Sequence, residues 1–278
     1  MKIGCHISIA GGINKAPQRA ADLKCEIMQI FTRSPQGGKA LELTKNIILS
    51  FKTENLKFKI STIYIHTPYY INFTSTNNRI RYGSASVVRD ELERASLLGA
   101  KYVMTHLGSA GELSEQEATK KVSEMLTKTL NNYDGSAELL IENSAGAGKI
   151  IGATFSQISE IIKNVNHPKL NGICLDTQHS FASGYDWRDF ENTLKKIDQE
   201  IGLEKVKLIH ANDSKSDCAS HIDRHEHIGK GEIGMKAFEK IIKFAEENNI
   251  NLILETEHEK VKEDIQLLKS LRNNINQK

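Results

Sequence analysis

No run in this sequence approaches the roughly 20 consecutive apolar residues that a membrane helix requires, so no membrane association is expected. The start, Met1-Lys2-Ile3-Gly4-Cys5-His6, has no apolar segment behind a basic opening. No leader is expected there, and the chain reads as entering a strand at once. Cysteine is sparse: Cys5, Cys25, Cys174 and Cys218 are far apart and form no CxxC pair. That excludes a disulfide scaffold and a thiolate metal knuckle, and it suits a soluble intracellular protein with reduced thiols. An excess of charge is also missing, because 37 basic residues face 35 acidic ones. A strong electrostatic nucleic-acid binder is usually more basic. Bound divalent metals, however, would add positive charge that the sequence count omits. Low-complexity linkers and short-period repeats are absent as well, so one domain spanning residues 1–278 is expected.

What is present is alternation. Apolar runs recur at Lys2–Ser8, Glu26–Thr32, Ile60–Thr67, Tyr102–Gly108, Glu138–Asn143, Gly172–Thr177, Lys207–Asp213 and Asn251–Thr256. Each is nearly continuous in Ile, Leu and Val, as a parallel strand buried on both faces should be. Segments of helical period lie between them. Ser84–Leu98 places Val87, Val88, Leu92, Ala95 and Leu98 on one face, and Ser114-Glu115-Gln116-Glu117 reads as a capping box. Ile13–Leu23, Leu43–Leu56, Phe155–Val165, Trp187–Ile201, Met235–Glu247 and Val261–Leu271 complete the series. Eight such units in a chain of this length point to an α/β fold of the TIM (β/α)8 barrel type, with an open doubly wound sheet as the alternative. The longer connections, Thr67–Gly83 and Asp213–Gly234, are candidates for functional loops.

The chemistry lies at the strand ends. Six consecutive predicted strands finish at His66, His106, Glu142, Asp176, His210 and Glu255, spaced 34 to 45 residues apart. In a barrel these ends surround one mouth, where TIM-barrel active sites sit. His179 follows Asp176 by three residues, and Asp223 and His225 share the loop after His210. A lone histidine at a strand end is usually just hydrogen-bonded, and a lone aspartate in such a loop is usually a helix cap. Six ionisable ends in a row on burial-prone strands make the ordinary explanation untenable. Five imidazoles and four carboxylates without a thiolate suit Zn2+, with Mn2+ or Fe2+ as possible substitutes. At about three protein ligands per catalytic metal, nine donors suggest three ions per chain. Three divalent ions against four carboxylates leave about two positive charges, a surplus that favours a phosphodiester substrate. His6 is placed to support a ligand rather than to be one.

These segments resemble the endonuclease IV family along essentially the whole chain. The matching stretches include Gly4-Cys5-His6-Ile7-Ser8, His66-Thr67-Pro68-Tyr69-Tyr70, His106-Leu107-Gly108-Ser109, Ile141-Glu142-Asn143 and Asp176-Thr177-Gln178-His179. They continue through His210-Ala211-Asn212-Asp213, Asp223-Arg224-His225-Glu226-His227-Ile228-Gly229 and Leu254-Glu255-Thr256. The resemblance implies a three-zinc barrel that acts in base excision repair as an apurinic/apyrimidinic endonuclease. It would cut double-stranded DNA on the 5′ side of an abasic site, leaving a 3′-hydroxyl and a 5′-deoxyribose phosphate. It would also clear blocked 3′ ends. Carried over, His66, His106 and Glu142 hold one zinc. Glu142 bridges to a second, shared with Asp176, His210 and Glu255, and His179, Asp223 and His225 hold the third.

In that reading Glu142 and Glu255 are the catalytic carboxylates, with Glu142 a bridge and Glu255 orienting the attacking water. Tyr69 and Tyr70 would enter the DNA at the lesion, since aromatic rings can fill a gap in the base stack. Packing of the barrel top is their ordinary alternative. Arg33, Arg79, Arg81, Arg224 and Lys230 are candidate phosphate contacts. The chain departs from the family pattern after Phe31-Thr32-Arg33, where Ser34-Pro35-Gln36-Gly37-Gly38 replaces an arginine and an aromatic. Gln36 then stands where a probing cation is usual. Gln178 replaces a usual cysteine, and Leu107 a usual proline. A monomer is expected. Two rival readings are a metal-dependent sugar isomerase on a similar barrel, which has no use for the His179, Asp223 and His225 trio, and a non-catalytic lesion binder, which should have lost a ligand.

Overall fold

Eight short parallel strands close into a barrel in the computed structural model, which describes residues 1–276. The barrel strands are β1 (Ile3–His6), β2 (Ile27–Ile30), β3 (Ile63–His66), β4 (Tyr102–Thr105), β5 (Glu138–Glu142), β6 (Ile173–Asp176), β7 (Val206–His210) and β10 (Asn251–Leu254). Between β7 and β10 a small antiparallel ribbon pairs β8 (Asp213–Ser214) with β9 (His225–Glu226). The helices are α1 (Ala16–Asp22), α2 (Lys45–Lys57), α3 (Asn78–Leu98), α4 (Glu115–Leu130), α5 (Phe155–Val165), α6 (Thr177–Ala182), α7 (Phe190–Ile201), α8 (Met235–Glu247) and α9 (Val261–Asn276). Closure occurs where β1 pairs with β10, Gly4 opposite Ile253. The expected closed (β/α)8 barrel is therefore observed and the open sheet is not. Among the described residues no helix is long and apolar enough to cross a membrane.

Strand parity explains how the barrel is filled. Side chains alternate between the two faces of a strand. Ile3, Cys5, Met28, Ile30, Val103, Leu139 and Leu252 face the helices and join one large core. The alternate positions Ile27, Tyr64, Tyr102, Met104, Leu140, Cys174, Leu208 and Ile253 form a separate apolar cluster inside the barrel. One step further along the same inward-facing series come His6, Gln29, His66, His106, Glu142, Asp176, His210 and Glu255. The polar residues thus form the top layer over an apolar plug. Gly4 keeps the first strand close to the second: a Cβ there would lie 1.9 Å from the Ile27 carbonyl oxygen.

Several boundaries differ from the sequence expectation. His106 and Glu255 stand one residue beyond β4 and β10 instead of ending them. Thr177 begins α6 rather than closing a strand, because the Asp176 carboxylate accepts the His179 backbone N–H at 2.7 Å and caps a helix there. Asp213 belongs to the ribbon, not to β7. Helix α3 starts at Asn78, six residues before the expected Ser84. Its first turn is largely exposed and carries no apolar period, but Asn77 caps it through the Arg79 N–H at 2.9 Å. The Ser114 box forms as read: Ser114 Oγ accepts from Glu117 N, and Glu117 Oε2 accepts from Ser114 N.

Candidate metal centre

All nine expected donors line or adjoin one mouth at the C-terminal end of the barrel. Three groups of donor atoms lie within 4.8 Å of one another: His66, His106 and Glu142; Glu142, Asp176, His210 and Glu255; and Asp176, His179 and His225. Glu142 belongs to two groups and so does Asp176, so the groups share walls. The first two match the carried-over sets. The third differs, since Asp176 replaces Asp223 in the tight trio. Asp223 rides on the exposed loop, yet its Oδ1 lies 3.3 Å from His179 Nε2 and 3.5 Å from His225 Nε2. It faces the same point from the solvent side.

Backbone carbonyls set the tautomers. His66 Nδ1 donates to the Thr67 carbonyl at 2.6 Å, and His179 Nδ1 donates to the Asn143 carbonyl at 3.0 Å. His225 Nδ1 contacts the Glu255 carbonyl at 3.4 Å. Each of these rings therefore directs Nε2 into the mouth. His210 is reversed. Its Nε2 donates to Gln29 Oε1 at 2.7 Å, which turns Nδ1 toward Glu142 Oε1 at 2.8 Å. This is the supporting arrangement that prepares histidines to bind metal. His225 Nε2 is buried and has no hydrogen-bond partner among the described residues. A buried, unpartnered ring nitrogen aimed between two carboxylates fits a divalent cation.

The electrostatics point the same way. Burial disfavours a charged ring at His179, but Asp176, Asp223 and Glu142 outweigh it and raise its pKa to about 10. Asp223 is lowered to about 2: burial opposes that shift, and His179 and His225 produce it. Burial would raise Glu142, yet His210, His106 and His66 hold it well below the usual carboxylate range. Burial dominates at His6 and His106, which are both lowered, His6 to about 4. The carboxylates thus favour positive charge at His179, and the mouth as a whole suits a cation.

The supporting layer includes a residue that the sequence reading missed. Gln29 donates through Nε2 to Glu255 Oε1 at 2.6 Å and to His6 Nδ1 at 3.0 Å, while its Oε1 accepts the hydrogen bond from His210 Nε2 at 2.7 Å. The signal was a lone amide inside the apolar run Ile27-Met28-Gln29-Ile30, at the inward parity of β2. Asn143 and Asn212 hold Asp176 from both sides, the latter through Oδ2 at 2.7 Å. The loop carrying Asp223 and His225 is anchored by Asp213. Its buried carboxylate accepts from Ser214, Gly231 and Ile233 N–H groups at 2.8 to 3.1 Å. Gln178, at the position where the family pattern has cysteine, donates to the Ile222 carbonyl at 2.9 Å, directly before Asp223.

A cavity of about 600 Å³ opens above the donors. Tyr69 lines it and is 68% exposed, and Tyr70 is also exposed. Neither is buried in the barrel top. Tyr69 meets Phe31 edge-on at 5.4 Å, and Gly37 lies beside Tyr70. Gln36 and Arg224 are exposed on their loops. Arg33 is a correction. Its guanidinium is buried and ion-paired to Glu91 and Asp90 on α3, so it is committed inside the protein and is not presented to a phosphate.

A closed parallel barrel with clustered His, Asp and Glu at its C-terminal mouth defines the class, and residues 17–271 match the family described as "Xylose isomerase-like TIM barrel". Within that class the chain belongs to the endonuclease IV family. It is 37% identical over 280 residues to "Probable endonuclease 4" of Nitrosopumilus maritimus, covering 98% of this chain and 99% of the relative. The crystal structure of endonuclease IV from Thermus thermophilus superposes with a TM-score of 0.88 at 29% identity, covering 99% of this chain and 100% of the other. A D-tagatose 3-epimerase-like protein, 21% identical with a TM-score of 0.77 and covering 100% and 99% of the two chains, shares the fold.

Proposed function

We propose that this chain is an apurinic/apyrimidinic endonuclease that uses three zinc ions to hydrolyse the phosphodiester on the 5′ side of an abasic site in double-stranded DNA. The products are a 3′-hydroxyl and a 5′-deoxyribose phosphate, and the same chemistry removes blocking groups from 3′ ends. Mn2+ or Fe2+ would suit the same donor set. The observation that carries the reading is the convergence of three donor groups on shared Glu142 and Asp176, with His225 Nε2 buried between the Asp176 and Asp223 carboxylates without a hydrogen bond among the described residues. Membership of a family whose relatives are named endonuclease 4 supports DNA as the substrate.

His66, His106 and Glu142 would hold one ion, and Asp176, His210 and Glu255 would share a second with Glu142. His179 and His225 would hold the third with Asp223 and Asp176. Bound there, the metals supply Lewis acidity, making water a usable nucleophile near neutral pH and offsetting charge on the phosphate. In the reaction the water oxygen bonds to phosphorus, the bond from phosphorus to the 3′ oxygen breaks, and that oxygen leaves with a proton. Both oxygens of Glu142 face histidine nitrogens at 2.8 Å, so it would serve as a link between two ions and not as a base. Glu255 is partly exposed and is held by Gln29, so it is the carboxylate able to orient the attacking water. Tyr69 projects at the rim, where its ring can occupy the gap left by the missing base.

The test is elemental analysis and an incision assay on one sample, using a duplex with a single abasic-site analogue, with and without chelator. His225→Ala runs beside it. About three zincs per chain, incision 5′ to the lesion, and joint loss of third-site metal and activity in the variant are expected. Two or fewer metals with no incision would overturn the reading and favour a sugar-converting enzyme on this barrel.

A further inference from the structure

The loop that follows β2 is fastened at both ends to one helix by a buried polar network. At its near end, Thr32 Oγ1 donates to Glu91 Oε2 at 2.6 Å, and Arg33 Nε donates to the other oxygen of the same carboxylate. Arg94 donates to Thr32 Oγ1 at 2.6 Å and to the Thr32 carbonyl at 2.8 Å. At the far end, Arg94 Nη1 donates to the Leu41 carbonyl at 2.9 Å. Glu91 is fully buried, although it lies on an outer helix. A buried carboxylate with two guanidiniums is costly unless every member is satisfied, and removing one member strands the others. Packing alone gives no reason to place such a network under a surface loop.

The reason lies one residue upstream. The Phe31 ring is 4.4 Å from His6, 5.7 Å from His66 and 5.4 Å from Tyr69, centroid to centroid. Phe31 thus touches a proposed metal ligand, a residue supporting the metal layer and the exposed aromatic at the rim. Arg33 and Leu41 also wall a second cavity of about 860 Å³, which meets the metal cavity at His6 and His258. The free span between the fastened ends, residues 34–40, contains Gln36 and the positive-φ glycines Gly37 and Gly38. Within the span the Gly37 N–H donates to the Ser34 carbonyl and the Gln36 N–H to Ser34 Oγ, both at 3.3 Å, so Ser34–Gly37 is a local turn whose placement over the mouth is set by its fastened ends.

We infer that Glu91, with Thr32 and Arg94, is a positioning network that fixes Phe31 and the 34–40 span and through them sets the lesion grip of Tyr69. The inference rests on the proposed endonuclease activity. It places the determinant of substrate affinity in α3, remote from the metals. Losing it misplaces the grip, while His66 stays held by the Thr67 carbonyl and Glu142.

The test compares Glu91→Gln, which removes the charge and keeps the shape, with Thr32→Val, which removes the hydroxyl that joins Glu91 to Arg94. Steady-state incision of the abasic duplex is measured at matched zinc content and folded fraction. KM is expected to rise on the order of tenfold to a hundredfold, with kcat changed less than about threefold. Trypsin cleavage after the exposed Lys39 should accelerate in both variants, and Glu91→Asp should restore part of the KM. If Thr32→Val keeps wild-type KM and the wild-type rate of cleavage at Lys39, the inference is wrong, whatever Glu91→Gln does. If the wild-type chain does not incise the abasic duplex, the functional reading fails instead, and the Lys39 cleavage rates still decide whether the network holds the loop.

Discussion

Glu142 presents one carboxylate oxygen to His66 Nε2 and the other to His210 Nδ1, each at 2.8 Å. The two rings come from β3 and β7, across the barrel, and reach it with opposite ring nitrogens. A single buried carboxylate therefore links two of the three donor groups.

Replacing that link by Glu142→Gln should do more than remove one ligand. An amide offers one acceptor where the carboxylate offers two, and it carries no charge to offset bound cations. Metal content should fall from about three ions per chain, and kcat should drop on the order of a thousandfold or more. Full metal content together with full activity would contradict the bridging role.

Gln29 should matter although it is not among the proposed ligands. Gln29→Leu leaves His210 Nε2 and Glu255 Oε1 without their partner. Loss of such a supporting contact typically costs about 10- to 100-fold in metal affinity or activity. Competition titration against a chelating dye would measure it, and the deficit should concentrate on the ion that His210 and Glu255 would share.

Metal binding should be opposed by protons. Carboxylates hold His179 protonated up to a pKa of about 10, and His66 and His210 are also raised against the effect of burial. A ligating ring must give up that proton, so apparent metal affinity should fall as pH falls, with protons released on loading. Stability of the chelator-stripped chain should follow the opposite sign. The folded pKa of His179 exceeds its ordinary 6.5. Its contribution is thus fully present below about 6.5 and is lost as pH rises through about 10. Thermal melts of stripped and loaded protein across that window would show the difference.

Tyr69 should act on binding and not on the chemical step. Tyr69→Ala should weaken affinity for the abasic duplex by about 1–3 kcal/mol, the usual contribution of an aromatic stacked on bases. Tyr69→Phe should keep most of it, because the ring supplies the contact. Equal losses in both variants would point to the hydroxyl instead.

Much of this protein was legible without coordinates. The eight apolar runs declared eight buried parallel strands, because a strand covered on both faces must be apolar at nearly every position. Regular spacing of His66, His106, Glu142, Asp176, His210 and Glu255 declared a common edge, since each β/α unit returns the chain to the same end of the barrel. Boundaries were less legible where a side chain and not periodicity decides them, as with Asp176 capping α6 and Asn77 starting α3.

Arg33 and Gln29 show where sequence stopped. Arg33 stands beside the 34–40 loop in sequence and resembles a phosphate contact. Only the folded chain brings Glu91, 58 residues away, against it and commits its charge inside. Gln29 has no motif, and its role appears only when β2 sets it in the same inward layer as His6, His66 and Glu255. The sequence by itself determined the eight barrel strands, the donor types and the mouth they share, since local periodicity and residue chemistry are properties of the chain. Tertiary structure decided which carboxylate is shared, which ring nitrogen each histidine offers and which cations are already paired. Those depend on distances between segments that no local pattern encodes.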